Sequence, residues 1–592
     1  MAAEPPAPDV APAAPAVPAA GPPLDPTADQ PSSPSDAGQS RRRWAVAIGV
    51  VALIAAGIGL VAFLAGRGGL VAIAPRYLPA TAVIYSDVRF DLPGAQRQEV
   101  SELLARFPGF EDASTLELKA DDTFDRLVKS ATEDEISYTG DIKPWFGGQV
   151  AVAMTGLPNL GSLISGGGAG LEVPVIGLIS VKDAGAAEAA LDRFAVEAQA
   201  AGMTVVTGEV DGHPTWTIGD AGGTNAGPRS ATVTLTSDML IVGMDAAAVA
   251  ESVRLGTQGG ANLAGSSAFT DATAALPEAR LATLYVDGAG LKLAGGALTS
   301  VPGLEAALES IPVSVAGALT VTDGTITATA QTVHPEGAVR VVDTPSTLAG
   351  LVPGTSLTYL EVHDVGTAVN TLLARVKTQP DIEMLGLPIE SIESLLGAKL
   401  EDLFTWVGDT AVVGWTAGAQ PAGAIVAEVT DATAADERVR QLQAFLQLAD
   451  IGGSVTTSTS SHAGATITSV NVTEAGQDVT VSFTLSEGTF VLGLGEASVE
   501  AVLDVTPQTA LAADPGYQAT MAAAGPSTNA GSAYLDLRGI REAIEPVIPA
   551  DERARYEQEV RPWLLPFDQL GSVTFQDGSA TVGQTVITTM QP

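Results

Sequence analysis

Histidine and carboxylate side chains are the groups of this chain that could bind a metal, and one such pair has the spacing of metal ligands on a strand. Glu361 stands two residues before His363. On a β-strand both side chains would project from one face, and an imidazole with a carboxylate is a common pair of zinc ligands. The alternative is a polar strand end without a metal. We favour that alternative, because Asp87 and Arg89 hold the matching places in an internal repeat and form an acid–base pair.

Two acidic groups resemble calcium ligands in composition. Asp121, Asp122 and Asp125 are followed by the acidic run 133–135. They lack the glycine-punctuated loop of twelve residues that holds calcium in an EF-hand. Asp122 beside Asp125 and Arg126 is typical of the water-facing side of a helix. The sequence therefore predicts no metal site.

Nucleophilic catalysis and nucleotide binding have no supporting motif. The chain contains no cysteine, which removes thiol nucleophiles and zinc–thiolate sites. Neither a Gly-x-Ser-x-Gly nor a Ser-x-x-Lys motif occurs. The glycine-rich stretch 166–170 lacks the Lys-Ser or Lys-Thr of a phosphate loop, so we predict a flexible turn there. We expect no enzyme activity, no catalytic residue and no cofactor, although a spatial pair of carboxylates stays open.

The elements that would position any site begin with an apolar run from Trp44 to Gly66, which has 23 residues and no charge. At about 1.5 Å per residue it reaches roughly 35 Å, enough to cross a hydrocarbon core of about 30 Å. The three arginines 41–43 precede it, which predicts a cytoplasmic N-terminus and an extracytoplasmic remainder, although Arg67 and Arg76 reduce the asymmetry. We therefore predict a transmembrane helix with a basic flank over 41–67, with the lipid bilayer as its partner.

Composition sets the context of this span. Residues 1–40 hold eleven prolines and predict a disordered Pro/Ala-rich cytoplasmic tail. The net charge of the chain is −39. When the five acids of the tail and the three arginines 41–43 are left out, 26 basic and 63 acidic residues remain, for a net charge of −37. We therefore expect no nucleic-acid partner. Small residues along one side of the span, at 49, 52, 56 and 59, permit a weak homodimer.

An internal duplication organises the region after the span. The segment 78–88 matches 352–362, and the motifs that begin at Trp145 and at Tyr285 return in the same order at Trp406 and Tyr534. Each copy ends with an expected Asp-Gly hairpin turn, at 323–324 and at 577–578. We predict repeat 1 over residues 75–335 and repeat 2 over residues 348–590.

Each repeat predicts strands interrupted by a few amphipathic helices. The strand candidates of repeat 1 are 82–88, 149–154, 175–181, 232–243, 282–286 and the hairpin 316–333. Short turns join several of them, and neighbouring strands with short turns are antiparallel. The predicted fold class is therefore α+β: two tandem homologous repeats of mainly antiparallel sheet with packed helices, preceded by one transmembrane helix and a disordered tail.

Four motifs after the span resemble a known bacterial family. They are Arg76-Tyr-Leu-Pro-Ala-Thr-Ala-Val, Phe90-Asp-Leu-Pro-Gly, Phe107-Pro-Gly-Phe and Lys143-Pro-Trp-Phe-Gly-Gly. With the membrane span they resemble DUF3352, a family of unknown function, most clearly over residues 75–290. The resemblance implies a membrane-anchored extracytoplasmic protein and supplies no catalytic residue.

Three hypotheses about function follow from these features. The leading one is a single-pass membrane protein whose outer domains are a binding or structural module of the cell envelope, with an envelope protein or ligand as partner. One alternative is a hydrolase of envelope polymers with paired carboxylates, which requires a cleft lined by two acids. Another is an apolar-ligand carrier, which requires a cavity of several hundred cubic ångströms.

A loop present in one repeat only is the candidate contact site. The offset between the repeats falls from 261 at Trp145 and Trp406 to 248 at Asp183 and Asp431, so repeat 1 carries 13 extra residues within 158–170. The apolar side chains of this loop are those of Leu160, Leu163 and Ile164. We expect them to contact a partner or the outer membrane surface; the alternative is that they pack against their own domain.

Overall fold

The computed structural model describes residues 72–92, 94–110, 116–132, 136–156, 174–220, 230–296, 311–336, 340–377, 399, 402–418, 420–450, 455–474 and 477–590. The predicted tail, the apolar run 44–66 and the contact loop with Leu160, Leu163 and Ile164 lie outside these residues. No helix within the described ranges is both long enough and apolar enough to cross a bilayer.

Strands dominate the described residues. They are β1 (Ile84–Arg89), β2 (Phe146–Met154), β3 (Val175–Val181), β4 (Met203–Val210), β5 (His213–Asp220), β6 (Ser230–Leu235), β7 (Met239–Gly243), β8 (Ala282–Asp287), β9 (Ser314–Thr322), β10 (Thr325–Val333), β11 (Thr344–Pro345), β12 (Thr358–Val362), β13 (Val407–Ala417), β14 (Gln420–Val429), β15 (Val455–His462), β16 (Ala465–Glu474), β17 (Gln477–Ser486), β18 (Thr489–Leu494), β19 (Thr528–Asn529), β20 (Gly531–Asp536), β21 (Phe567–Asp577) and β22 (Ala580–Thr589).

Helices of four to nineteen residues connect these strands. They are α1 (Gln96–Leu104), α2 (Leu116–Thr132), α3 (Ala184–Ala200), α4 (Ala246–Gln258), α5 (Ser267–Thr273), α6 (Gly288–Gly296), α7 (Val365–Lys377), α8 (Ala432–Asp450), α9 (Glu496–Leu503), α10 (Pro515–Ala524), α11 (Leu537–Ile544), α12 (Ala550–Arg555) and α13 (Arg561–Leu564). Aspartate at the N-cap starts several of them; Asp183, for example, accepts a hydrogen bond from the Ala186 N–H. The mixture of helices with a large antiparallel sheet confirms the α+β class.

Twenty strands form one antiparallel sheet, while β11 and β19 pair separately. The spatial order is β4-β5-β6-β7-β3-β2-β1-β8-β9-β10 and then β22-β21-β20-β12-β13-β14-β18-β17-β16-β15. The first ten strands constitute the first half and the second ten the second half. Read outward from the junction, the two halves use their strands in the same order. A common origin by duplication stays a prediction.

The halves meet where β10 pairs with β22. Their antiparallel register runs from Ile326 opposite Ile587 to Val333 opposite Ala580. Each of these strands also pairs with the other strand of its own hairpin, β9 or β21. Neither strand therefore leaves an exposed row of backbone hydrogen-bonding groups at the junction. The outer edges of the sheet are β4 and β15.

The two closing hairpins turn differently. In the first half Thr322 pairs with Thr325, so Asp323 and Gly324 form the loop with φ of 51° and 73°, as an Asp-Gly type I′ turn requires. In the second half Asp577 pairs with Ala580 and remains in the strand. The loop there is Gly578–Ser579, with the positive φ of 59° at the glycine. The expected Asp-Gly turn at 577–578 is wrong by one residue, because Asp577 is paired within β21 and the two loop residues are Gly578 and Ser579.

An aromatic triad lies at the centre of each half. Tyr85 and Tyr285 face each other on β1 and β8, and Phe269 of α5 contacts both rings edge-on at 5.7 and 5.1 Å. In the second half Tyr359 pairs with Tyr534, and Tyr517 of α10 contacts both at 5.9 and 5.1 Å. The rings are buried, so each triad attaches a helix to the middle strands of its half.

Other helices cover the opposite face of the first half. Because side chains alternate along a strand, Val88 and Val150 point away from the triad. They pack with Phe90, Val100 and Phe124, and so bring α1 and α2 onto this face. Further along the sheet, α3 covers Trp145, Trp216 and Val233 through its small alanines. The first half therefore has three layers, with helices on both sides of the sheet.

Sequence patterning located most strands of the first half and omitted one hairpin. The candidate 175–181 coincides with β3, and the candidate 232–243 divides into β6 and β7. The omitted hairpin is β4–β5, although Asp211 and Gly212, with φ of 51° and 80°, form an Asp-Gly turn between alternating segments. That turn is the signal that would have located both strands.

Replacement of Tyr517 tests the triads. Phe269 holds the place of Tyr517 in the first half, so we expect Tyr517→Phe to change the free energy of unfolding by less than about 1 kcal/mol. Tyr517→Ala leaves a cavity and should cost about 3–5 kcal/mol. Denaturant unfolding of the two variants measures both values. A loss from Phe as large as that from Ala would contradict the equivalence.

Candidate functional site

Glu361 is the centre of what we call the second polar cluster, formed by Ser346, Glu361, His363, Asp409 and Asn529. Glu361 lies on β12 with no solvent exposure. Its Oε1 accepts hydrogen bonds from the backbone N–H groups of Thr347 and Leu348, at 3.2 and 3.3 Å. Its Oε2 accepts from Tyr359 Oη at 2.7 Å and from Ser346 Oγ. Four donors therefore use the acceptor positions of this carboxylate.

His363 is also fully engaged. Its Nδ1 lies 2.7 Å from Asp409 Oδ2, and its Nε2 lies 3.4 Å from Asn529 Oδ1. The amide of Asn529 has a fixed orientation, since its Nδ2 donates to the carbonyls of Pro526 and Ser527 while its Oδ1 accepts from the Gly531 N–H. Both ring nitrogens of His363 thus face oxygen acceptors.

These contacts decide the metal question for this cluster. Glu361, His363 and Asp409 offer ligand atoms within 4.8 Å of one another, so spacing alone would permit an ion. Four donors already bond to Glu361, so a metal there would have to displace its hydrogen bonds to Thr347, Leu348, Tyr359 or Ser346. Both ring nitrogens of His363 face oxygens of Asp409 and Asn529. The arrangement therefore fits a hydrogen-bonded cluster better than a resident metal site.

The first polar cluster comprises Asp87, Arg89, Asp91 and Gln149 and has the equivalent place in the first half. Asp87 lies opposite Ala151 and Thr283, as Glu361 lies opposite Ala411 and Ser532. Gln149 Nε2 donates to Asp87 Oδ2 at 2.9 Å. Gln149 Oε1 accepts from the N–H groups of Ile73 and Ala74, at 3.0 and 3.3 Å.

A single methylene explains the difference between the clusters. Glu361 is long enough to reach two backbone N–H groups directly. Asp87 is shorter, and the amide of Gln149 bridges it to the corresponding N–H groups. The clusters therefore do the same work: each attaches the segment that leads into its half, 72–77 or 344–350, to a middle strand. Those segments continue into short 3₁₀ turns at Ala74–Tyr77 and Leu348–Gly350.

The electrostatics of Asp87 differ from those of an exposed acid. Burial raises the pKa of Asp87 above its ordinary value, and the neighbouring hydrogen bonds and arginines oppose that shift only in part. Arg89 is paired with Asp91 instead, at 2.5 Å. Asp87 Oδ1 and Tyr85 Oη have no hydrogen-bond partner within range among the described residues. A buried carboxyl with one unbonded oxygen suits the neutral acid better than the anion.

The remaining candidate ligands are dispersed. Asp121 is paired with Lys143 at 2.5 Å, and Asp125 accepts two hydrogen bonds from Thr139 at 2.8 Å. Asp122 and Arg126 are exposed, as the helix pattern predicts. His334 bonds Thr581 Oγ1 at the junction of the halves, and His462 bonds Asp504 at 2.7 Å. His213 starts β5, away from the other three. The acidic run 133–135 lies outside the described residues.

A shallow groove of about 330 Å³ lies beside α3. Its lining is Asp192, Arg193, Val196 and Glu197, which belong to one helix surface. Arg193 is paired with Asp141 at 3.2 Å. The two acids of the groove, Asp192 and Glu197, lie on one helix surface and not on facing walls of a cleft, and the open groove encloses no space for an apolar ligand.

The sequence indicated Glu361, His363, Asp87 and Arg89 and missed their partners. Gln149 and Asp409 hold equivalent places only if one glycine of the Trp145-Phe-Gly-Gly-Gln segment is treated as an insertion. The register of β2 and of β13 shifts at this point, which is the mark of a β-bulge. Gly148 in the bulge has φ of 94°. The extra glycine in the first repeat was therefore the sequence feature that could have revealed the β-bulge and aligned Gln149 with Asp409.

Comparisons with known proteins identify a family and no activity. The family model described as "Protein of unknown function (DUF3352)" matches residues 46–583. No curated protein matches the chain. A solved structure titled "Structure of crystal form I of TP0453" matches at 8% identity with a TM-score of 0.23, covering 46% of this chain and 82% of that one. A likeness this weak carries no argument about fold or function.

Isosteric substitutions at the equivalent acids should have opposite effects. Glu361→Gln places an NH₂ group among four donors and should cost about 1–3 kcal/mol. Asp87 has a raised pKa, so its contribution to stability is present below its unfolded value of 3.8 and is lost as pH rises through the folded pKa. Asp87→Asn removes that loss, and we expect equal or greater stability than the parent chain at pH 7.

Chemical denaturation at pH 4 and pH 7 measures both effects, with Glu428→Gln as the control because Glu428 is exposed on β14. The advantage of Asp87→Asn should be smaller at pH 4. Destabilisation by Asp87→Asn at pH 7 as large as that by Glu361→Gln would contradict the raised pKa of Asp87.

Metal removal tests the second polar cluster independently. Because a metal would have to displace the hydrogen bonds of Glu361, excess EDTA or added zinc should leave the thermal midpoint within about 1 °C of its original value. Differential scanning calorimetry measures it. A zinc-induced rise that disappears in Glu361→Gln would overturn the structural role.

Proposed function

We propose, from the premise that this chain belongs to the DUF3352 family, that it is a membrane-tethered, non-catalytic binding or structural module of the bacterial cell envelope. The observation that carries this proposal is the internal bonding of the second polar cluster. Glu361 accepts hydrogen bonds from two backbone N–H groups and from Tyr359, and the ring nitrogens of His363 face Asp409 and Asn529. Groups engaged in this way attach segments and are not available to activate water or a substrate.

The tether is the apolar run 44–66, with the arginines 41–43 on its cytoplasmic side. Residues 67–71 separate it from Ala72, so the connection to the first polar cluster can span at most about 20 Å. Tension on the tether would therefore act on Ile73 and Ala74, which Gln149 holds. The sheet would stand close to the membrane with little freedom to move away.

The partner is an envelope protein or ligand in this proposal. An outer region with net charge −37, from 26 bases and 63 acids, repels nucleic acid and anionic surfaces. The loop with Leu160, Leu163 and Ile164 stays the predicted contact, and a weak homodimer through the span stays a further prediction. Duplication of one ancestral half would account for the repeated strand order and the equivalent polar clusters.

Protease protection tests the topology. With an epitope tag at each end, proteinase added to wall-free bacterial cells should remove the C-terminal tag and leave a fragment of about 70 residues with the N-terminal tag. The reason is the positive charge of residues 41–43. Immunoblotting measures both tags.

A variant with Glu at positions 41–43 is the matched control, because it leaves Arg67 and Arg76 as the only positive charges beside the run. It should expose the N-terminal tag in part of the molecules. Removal of the N-terminal tag of the parent chain by external proteinase would show that the predicted orientation is wrong. Recovery of the parent chain outside the membrane fraction would show that the tether is wrong.

A further inference from the structure

The excursion 537–566 between β20 and β21 has an unusual surface. It contains α11, α12 and α13, and five of its large apolar side chains are exposed. Val547 is 68% exposed and Trp563 47%, and Ile544, Val560 and Leu564 are exposed as well. In the same excursion the charged Arg541 is buried. The excursion therefore exposes large apolar side chains while it buries a guanidinium group.

Polar contacts between residues of the excursion hold its helices together. Glu545 Oε1 accepts from Arg561 Nε at 2.7 Å and from Tyr556 Oη at 3.1 Å. The hydrogen bond from Arg561, together with that from Tyr556, lowers the pKa of Glu545. Arg541 Nη1 donates to the carbonyl of Leu564 at 3.2 Å. The excursion is thus built around internal ion pairs, and its apolar side chains are displayed.

The excursion lies at what we call the tether end of the sheet, where β1 and β20 end and β21 begins. Six antiparallel pairings separate β1 from β20, so the two strands have the same sense in the sheet, which twists between them. Gln149, opposite the last residue of β1, binds Ile73. Trp563 also packs against Phe107 and Phe110, which follow α1; the ring centroid of Trp563 lies 6.4 Å from that of each phenylalanine. The start of the described chain and the excursion therefore share one end.

The charge of the excursion sets it apart from the rest of the chain. Residues 537–566 hold five arginines and six acids, for a net charge of −1, while the whole chain carries −39. Exposed tryptophan, branched apolar side chains and neighbouring arginines are the groups that lie favourably at a bilayer interface. The rest of the surface, which is strongly acidic, is unsuited to that location.

We propose that the excursion 537–566 is a second membrane contact, which inserts Ile544, Val547 and Trp563 into the surface of the bilayer that holds the tether. This inference rests on the proposed tether. It assigns a lipid surface, not a protein, as the occupant of the apolar patch. Two contacts at one end would fix the orientation of the sheet relative to the membrane, with the opposite end directed outward.

Site-specific fluorescence tests this contact, because a chain without cysteine accepts a single reporter cleanly. The full chain is reconstituted in phosphatidylcholine vesicles and labelled with a polarity-sensitive dye at Val547→Cys. Met244→Cys is the matched control, since Met244 is 63% exposed and follows β7 at the opposite end of the sheet. We expect a blue shift and at least twofold quenching by lipids with spin-labelled chains at position 547, and neither at position 244.

Vesicle flotation separates the two proposals. If the chain floats with the vesicles and iodide, a water-soluble quencher, still quenches the dye at position 547, the second contact is wrong and the tether stands. Protection of position 547 in native membranes but not in pure lipid vesicles would identify a protein as the occupant and would also overturn the lipid contact. A chain that does not float refutes the tether itself. Ile544→Ser, by removing one inserted side chain, should reduce the quenching at position 547 without loss of flotation.

Discussion

The pairing of β10 with β22 is the constraint on which the rest of the structure depends. An antiparallel sheet of ten strands has two edges, and each edge strand presents unpaired N–H and C=O groups. Here the closing hairpin of each half supplies the partner of the other, over the register from Ile326–Ile587 to Val333–Ala580. Two edges are removed at once, and two halves that are distant in sequence become one continuous sheet.

The polar clusters solve a second problem, that of connecting segments across the sheet. The segments 72–77 and 344–350 lie over middle strands and carry backbone N–H groups into a buried setting, where each needs an acceptor. Glu361 supplies it directly, and Asp87 supplies it through Gln149. The hydrogen bonds of Glu361, and those of Gln149 with Asp87 Oδ2, thus serve to attach these segments. This engagement is the physical basis for proposing a non-catalytic module.

The excursion 537–566 differs from the rest of the surface, which is strongly acidic. Here Arg561 binds Glu545 and Arg541 binds the carbonyl of Leu564, while Val547 and Trp563 remain exposed. Such an arrangement is stable only if the internal polar contacts hold the helices together. The cost of exposing the apolar side chains falls when a lipid surface covers them.

Local patterning by itself determined the α+β class and most strands of the first half, because alternation and turn chemistry act over a few residues. The family followed from the resemblance of four motifs. The sequence also drew attention to Tyr285, Tyr534 and the acids Asp87 and Glu361. Only the tertiary structure decided that Asn529 and Ser346 complete the second polar cluster, that Gln149 bridges Asp87, and that β10 meets β22. Those contacts join residues as far apart as Ile326 and Ile587, and a single glycine at a β-bulge shifts their alignment, so no short-range pattern specifies them.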